Sequence, residues 1–343
     1  MYELQQVCPQ SFYINCPAKI GVYVRSGNEV YLIDSGNDKE AAKKVLKIAD
    51  ANGWTIKGIL NTHSNADHIG GNAYIQNKIG CSVFSSGIEA DFTRHPLLEP
   101  SFLYGGYPCK GLRSKFLMAK ESVVTDFSSP EFPKEIEIIP LPGHFFDMVG
   151  FRAPDNTVFL ADCVSSAATL SKYGVTFIYD VAAYLETLAN IETLKAELFV
   201  PSHADPCKDV GGLAEINRQK VLEIEQIIKT ICNVPKTTDG IISEVFRTFG
   251  LTMTMEQYML VGSTVRSYLC WMKDRGLAAS DDFPEQEHHV AAVECRDGYD
   301  VHECEDNREE GGHLPEGAPV PRGGEEVADS TEAADALGAF LGE

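Results

Sequence analysis

Short β-branched, apolar runs alternate along the chain with longer segments whose apolar positions recur every three to four residues. That is the pattern of strands interleaved with helices. Residues 20–34, IGVYVRSGNEVYLID, set two β-branched and aromatic runs on either side of Ser26-Gly27-Asn28-Glu29, which predicts a hairpin. Over 39–52 the apolar positions Ala41, Ala42, Val45, Leu46 and Ile48 fall at helical spacing, and Gly53 suits the helix's C-terminal end. Residues 56–60 predict a short buried strand that delivers Asn61-Thr62-His63; a second helix follows over 69–78 and another strand over 81–84. Strand patterns return at 136–139, 148–152 and 158–160, with Pro154-Asp155-Asn156 as a turn between the last two. An amphipathic helix over 181–195 leads to a strand over 197–200 that ends at Pro201-Ser202-His203. The order implies an α/β (α+β) fold with helices covering sheets.

Two stretches break the rhythm. Residues 94–127 show no strong period and hold Phe102, Tyr104, Tyr107, Phe116 and several glycines, so they read as an irregular or part-helical insertion, either a wall of the active site or plain surface. From Gly212 the chain turns helical: one long helix over 213–232, then shorter pieces over 237–249, 255–260 and 263–275. The last piece resembles the second helix of a helix-turn-helix with the start of a wing, but few basic residues line it, and a helical cap packed on the main domain is the favoured reading. The expected division is a catalytic domain over 1–211, a helical subdomain over 212–280 and an acidic, disordered tail over 281–343, with a short helix possible at 332–341.

Charge sharpens this division. The net charge is −21, but residues 281–343 hold 19 acidic and 3 basic residues, which leaves about −5 for the first 280. A basic nucleic-acid footprint is absent from this balance, so a small-molecule substrate is expected. No run of about 18 apolar residues suggests a membrane span. The start, Met1-Tyr2-Glu3-Leu4, does not resemble a secretory signal, and the ten cysteines form no C-x-x-C pair. A cytoplasmic location with reduced thiols, most of them buried as small apolar residues, is the expectation.

The chemistry concentrates in Thr62-His63-Ser64-Asn65-Ala66-Asp67-His68-Ile69-Gly70-Gly71-Asn72, where three metal-ligand types fall within six residues between a buried strand and a helix. A metal site needs several neutral imidazoles and carboxylates converging on one point, and a sharp loop at a strand end can aim them there. Three further elements repeat the placement: Pro142-Gly143-His144 after one strand, Leu160-Ala161-Asp162 at the end of the next, and Ser202-His203 at the end of the last. Cys163, beside Asp162, should face the other side of its strand and belong to the core.

This set resembles the metallo-β-lactamase-fold superfamily, whose H-x-H-x-D-H motif is followed by a distant His, an Asp and a last His; the matching positions are His63, Asp67, His68, His144, Asp162 and His203. Asp34 is similar to a supporting aspartate of that family. The resemblance spans about residues 10–210 and implies an αββα sandwich of two mixed sheets flanked by helices. It also implies one or two zinc ions, with iron or manganese as alternatives. One site would use His63, the residue at 65 and His144, the other Asp67, His68 and His203, with Asp162 bridging. The implied activity is hydrolysis of an ester, thioester, lactone or phosphodiester by metal-activated water, with Asp67 orienting that water. Position 65 departs from the motif: it is Asn, whose amide oxygen is a weaker zinc ligand than imidazole and suits harder cations better. The first site could still fill, be weak, or take iron or manganese with His63, His144 and Asp162 as a facial triad. An oxygenase-type relative with one iron, or a metal-binding protein without turnover, are the alternatives to a hydrolase.

Overall fold

The computed structural model describes residues 2–278; the tail expected over 281–343 and its helix at 332–341 lie outside the described residues. Two strands precede the expected hairpin: β1 (Glu3–Gln6), a polar edge, and β2 (Ser11–Asn15). The hairpin itself is β3 (Ile20–Val24) and β4 (Glu29–Ile33), and its turn works because Gly27 and Asn28 both accept positive φ, 74° and 63°. Helix α1 (Lys39–Ala51) starts where the Asp38 side chain accepts the N–H groups of Glu40 and Ala41. It returns the chain to β5 (Thr55–Leu60), parallel to β4.

The helix expected over 69–78 is in fact two, α2 (Ala66–Ile69) and α3 (Asn72–Ile79), divided at Gly70-Gly71. A Cβ at Gly70 would lie 2.3 Å from the Asn37 carbonyl oxygen, and one at Gly71 2.4 Å from that of Ser35. The glycine pair thus lets the α2–α3 junction lie against the backbone that follows β4. Strands β6 (Ser82–Phe84) and β7 (Val124–Thr125) complete a seven-stranded sheet in the order β1 to β7, antiparallel up to β4 and parallel beyond. Between β6 and β7 come α4 (Gly87–Arg94) and, within the segment without a period, α5 (Leu98–Tyr104).

The second sheet runs β11-β10-β9-β8, from β8 (Glu137–Pro140), β9 (Val149–Arg152), β10 (Thr157–Ser165) and β11 (Leu198–His203). Only β10–β11 is parallel, with α6 (Ala167–Tyr173) and α7 (Val181–Thr193) in the crossover. The two mixed sheets pack face to face, with Tyr31, Leu60 and Phe84 of one against Phe151, Phe159 and Val200 of the other. Outside the first sheet, Ala42, Val45 and Ile75 of α1 and α3 cover Val30, Leu32 and Ile59. The result is the αββα sandwich.

Beyond β11 come α8 (Gly211–Ile231), α9 (Thr238–Phe249) and α10 (Met255–Asp274). The two pieces expected over 255–260 and 263–275 are one continuous helix. Gly262 lies in its interior, where a Cβ would stand 3.4 Å from Ile242 Cδ1 on α9. Val221, Ile224, Val245, Val265 and Tyr268 of these helices share one apolar cluster with Val158, Leu160 and Cys163 of β10. No strand follows α10 among the described residues.

Candidate metal centre

Each expected ligand sits where a strand ends or is deformed. β5 runs into the loop bearing His63, and α2 carries Asp67 and His68 on its first turns. His144 lies in the loop after β8, and His203 is the last residue of β11. Asp162 differs slightly from expectation, since β10 continues past it to Ser165. Along β10, Val158 faces the helices, Phe159 the sheet interface and Leu160 the helices again. Strict alternation would then turn residue 162 outward. Ala161 interrupts it: its φ is 50°, and the pairing with β11 shifts register on both sides of it. This bulge aims Asp162 inward and leaves Cys163 in the apolar core, as expected from its neighbour position.

The six residues meet. Asp67, His68, Asp162 and His203 form one donor group, and His63, His144 and Asp162 a second, with the ligand atoms of each group within 4.8 Å of one another. Asp162 belongs to both. Its Oδ1 is 3.1 Å from His68 Nε2, and its Oδ2 is 3.0 Å from His203 Nε2 and 3.7 Å from His144 Nε2. Asp67 Oδ2 lies 3.6 Å from His68 Nε2.

Hydrogen bonds behind the cluster fix which imidazole nitrogen faces it. Asp34, held at φ 64°, accepts from Thr62 N at 2.8 Å and from Thr62 Oγ1 at 2.7 Å. Its Oδ2 also meets His68 Nδ1 at 2.7 Å. A carboxylate accepts, so the proton sits on His68 Nδ1 and Nε2 keeps a lone pair. Thr62 Oγ1 spends its own proton on Asp34, so it receives His63 Nδ1–H at 2.9 Å, which frees His63 Nε2. His144 Nδ1 donates to the Phe177 carbonyl at 3.0 Å, which frees its Nε2. Such partners commonly orient metal-binding histidines.

Four buried atoms at the centre, His63 Nε2, Asp67 Oδ2, His68 Nε2 and Asp162 Oδ1, find no hydrogen-bond partner among the described residues. Leaving buried polar atoms unpaired costs about 1–3 kcal/mol each, and cations would satisfy all four at once. The donor set, imidazole and carboxylate, suits zinc, iron or manganese. The residues present therefore fit a metal centre.

Electrostatics divides the cluster. Burial opposes charge on His68, but the carboxylates of Asp162, Asp67 and Asp34 outweigh it and raise its pKa well above the usual value. His203 is raised against the same burial by Asp162 and Asp67. Burial and the neighbouring His68 hold His63 well below the imidazole range, and burial takes His144 down to about 4. Burial raises Asp67, whereas His203 and His68 override burial at Asp162 and lower it.

Two glutamates escaped the sequence reading. Glu89 on α4 accepts from Ser64 N, Ser64 Oγ and Asp147 N, which braces the loop after His63; burial takes it up to about 7. Glu99 on α5 accepts from Asn65 Nδ2 at 2.8 Å. Burial pushes Glu99 well above the carboxylate range, with the Asn65 hydrogen bond pulling the other way. The segment over 94–127 forms part of the site wall: Glu99, Phe116 and Leu117 line a cleft of about 70 Å³ together with His144, Asp162 and His203. The eight cysteines described are free. Among the described residues, no helix is long and apolar enough to cross a membrane.

Comparison with known proteins gives the same picture. Residues 21–203 match the family described as the metallo-beta-lactamase superfamily. A hydroxyacylglutathione hydrolase of Rhodospirillum rubrum is 26% identical over 187 residues, covering 52% of this chain and 62% of that protein. One from Methylococcus capsulatus is 39% identical over 83 residues, 22% of this chain and 32% of the relative. The chain thus spans less than two thirds of these relatives' lengths. Among solved structures, a beta-lactamase domain protein from Burkholderia ambifaria superposes with a TM-score of 0.60 at 16% identity, covering 80% of this chain and 88% of that one. A metallo-beta-lactamase family protein from Thermus thermophilus gives 0.59 at 17% identity, covering 80% and 93%.

Proposed function

Since the chain belongs to the metallo-beta-lactamase superfamily, we propose that it is a metal-dependent hydrolase, with Asp67, His68, Asp162 and His203 holding one cation and His63, His144 and Asp162 a second. The observation that carries this is the set of four buried ligand atoms with no partner, one on the shared Asp162 and three on the residues grouped around it. Cations bound there, zinc foremost, would supply Lewis acidity and lower the pKa of a bound water towards 7.

The chain's own groups supply the rest. Asp67 Oδ2 is buried and takes no hydrogen bond from the described residues, so it can accept one from the attacking water and orient it. Asp34, Thr62 and the Phe177 carbonyl keep three imidazoles in the ligand tautomer. Phe116, Leu117, Phe177 and Leu260 give the cleft an apolar side that excludes water around a substrate's acyl portion. Among the candidate substrates, a thioester is favoured, supported by the hydroxyacylglutathione hydrolases the chain resembles.

The test is elemental analysis of the purified chain, followed by assay of the zinc-loaded protein on a thioester, a lactone and a phosphodiester. Stoichiometric metal with thioester cleavage is expected. Stoichiometric metal without turnover on any of the three would favour a metal-binding protein, and absence of metal uptake would overturn the metal centre.

A further inference from the structure

Asn65 lies two residues after His63 and heads α2, yet it makes no cap to that helix. An Asn at such a position ordinarily offers its side-chain oxygen to the helix N–H groups. Here the Asn65 side chain is engaged elsewhere: its Nδ2 donates to Glu99 Oε1 at 2.8 Å. Glu99 is only 5% exposed and comes from a different part of the chain, on α5. That hydrogen bond sets the amide orientation of Asn65: nitrogen towards Glu99, oxygen away from it. That oxygen takes no hydrogen bond from the described residues, and Asn65 lines the same cleft as Asp67, His144 and Asp162.

We propose that Glu99 is a positioning residue that turns Asn65 into an oxygen donor for the cation shared by His63, His144 and Asp162, so that this half of the centre discriminates less against manganese and ferrous iron than a set with a third imidazole would. The inference rests on the metal-centre reading above. Its chemistry is that of the donor set: two imidazole nitrogens, one amide oxygen and one carboxylate oxygen are harder than a set with a third imidazole. A free Asn65 amide could present either end. One pinned through its nitrogen offers only the atom that can bind a metal.

The experiment uses the full chain, stripped with chelator and then offered equal Mn²⁺ and Zn²⁺, with bound metals counted after gel filtration and bound manganese followed by electron paramagnetic resonance. Two variants are compared with the parent. Glu99→Leu removes the acceptor and frees the amide. The reversed pair, Asn65→Asp with Glu99→Gln, keeps an oxygen at position 65 with an amide donating to it. The bound Mn:Zn ratio should fall about tenfold in Glu99→Leu, the scale of losing a partner that orients a metal ligand, and return in the reversed pair. A folded Glu99→Leu with the parent's ratio would show that Glu99 merely packs α5 against the loop, and would overturn the inference alone. If Glu99→Leu fails to fold, the reversed pair decides: a parent-like ratio supports the role, and a shift to zinc overturns it. A parent that takes up neither metal removes the centre itself, and the inference with it.

Discussion

The two donor groups at the centre share Asp162 and little else. The group of Asp67, His68 and His203 sits in a field that attracts positive charge: both its imidazoles have raised pKa values, driven by Asp162 and Asp67 against their burial. At His63 and His144 burial wins instead: it lowers both pKa values, and other histidines add to the effect against the pull of Asp162. The first has Asp67 besides the shared Asp162; the second has only the shared one, with a neutral amide where the family motif has an imidazole. On the proposed metal-centre reading, these groups would act as a deep well and a shallow one side by side. The deep well should fill first and tightest, and the shallow one should fill only with help from Asn65 and from a cation that tolerates its oxygen.

The strongest way to break the comparison is to remove the shared group. Asp162→Asn leaves both wells without their common anion while keeping the shape of the side chain. Bound metal should drop to near zero by elemental analysis, and hydrolysis should fall on the order of 10³-fold, the rate equivalent of several kcal/mol of lost charge stabilisation. If one cation were retained at parental affinity, Asp162 would belong to only one group.

Asp34→Asn comes next, and it strikes one imidazole in each well without touching either cation. Asn tolerates the positive φ of 64° that position 34 requires. Its amide can accept from Thr62 N through oxygen, but it then presents N–H where Asp34 Oδ2 received Thr62 Oγ1 and His68 Nδ1. His68 Nδ1 must become an acceptor, which moves its proton to the ligand nitrogen. Thr62 Oγ1, now receiving a hydrogen bond, turns its proton towards His63 Nδ1 with the same result. Metal affinity should fall 10- to 100-fold at both wells, the usual cost of removing a partner behind a ligand, with the fold intact by circular dichroism. Weakening at one well only would mean that the Thr62 relay does not set the His63 tautomer.

Which parts of this were legible in the sequence follows from the same geometry. The ligands were readable because they stand beside strands whose pattern announces them, and a strand end is where a loop can aim side chains at a common point; Asp34 was readable only through the family resemblance. The bulge at Ala161 was not readable, because nothing in Leu160-Ala161-Asp162 distinguishes an extended alanine from one at φ 50°. β1 was missed because ELQQ is an edge with no buried face to give it a period. Glu89 and Glu99 were invisible for another reason. Acids on short helices look like solvated surface, Glu99 the more so in the segment without a period, and only the tertiary fold reveals that α4 and α5 turn them inward to hold Ser64 and Asn65. The helix expected over 69–78 failed at Gly70-Gly71, where close approach to the backbone of residues 35–37 overrides helical propensity.

The gentlest probe sharpens the comparison without a mutation. A metal-binding imidazole must be neutral. His68 and His203 have raised pKa values, so they keep a second proton to higher pH than ordinary imidazoles, and over that range a cation entering their well must displace it. His63 and His144 are already neutral at pH 7, His144 down to about 4, so a cation entering the shallow well displaces none from them. Below the raised pKa values, affinity at the deep well should fall about tenfold per pH unit for each proton released, because each unit of pH is worth 1.36 kcal/mol per proton. The shallow well should hold its affinity over the same range. Titration calorimetry in buffers of different ionisation enthalpy reads the proton count directly: the tight event should be buffer-dependent and the weak one buffer-independent. Equal proton release in both events would mean that the two groups share one field, and the distinction between a deep and a shallow well would be lost.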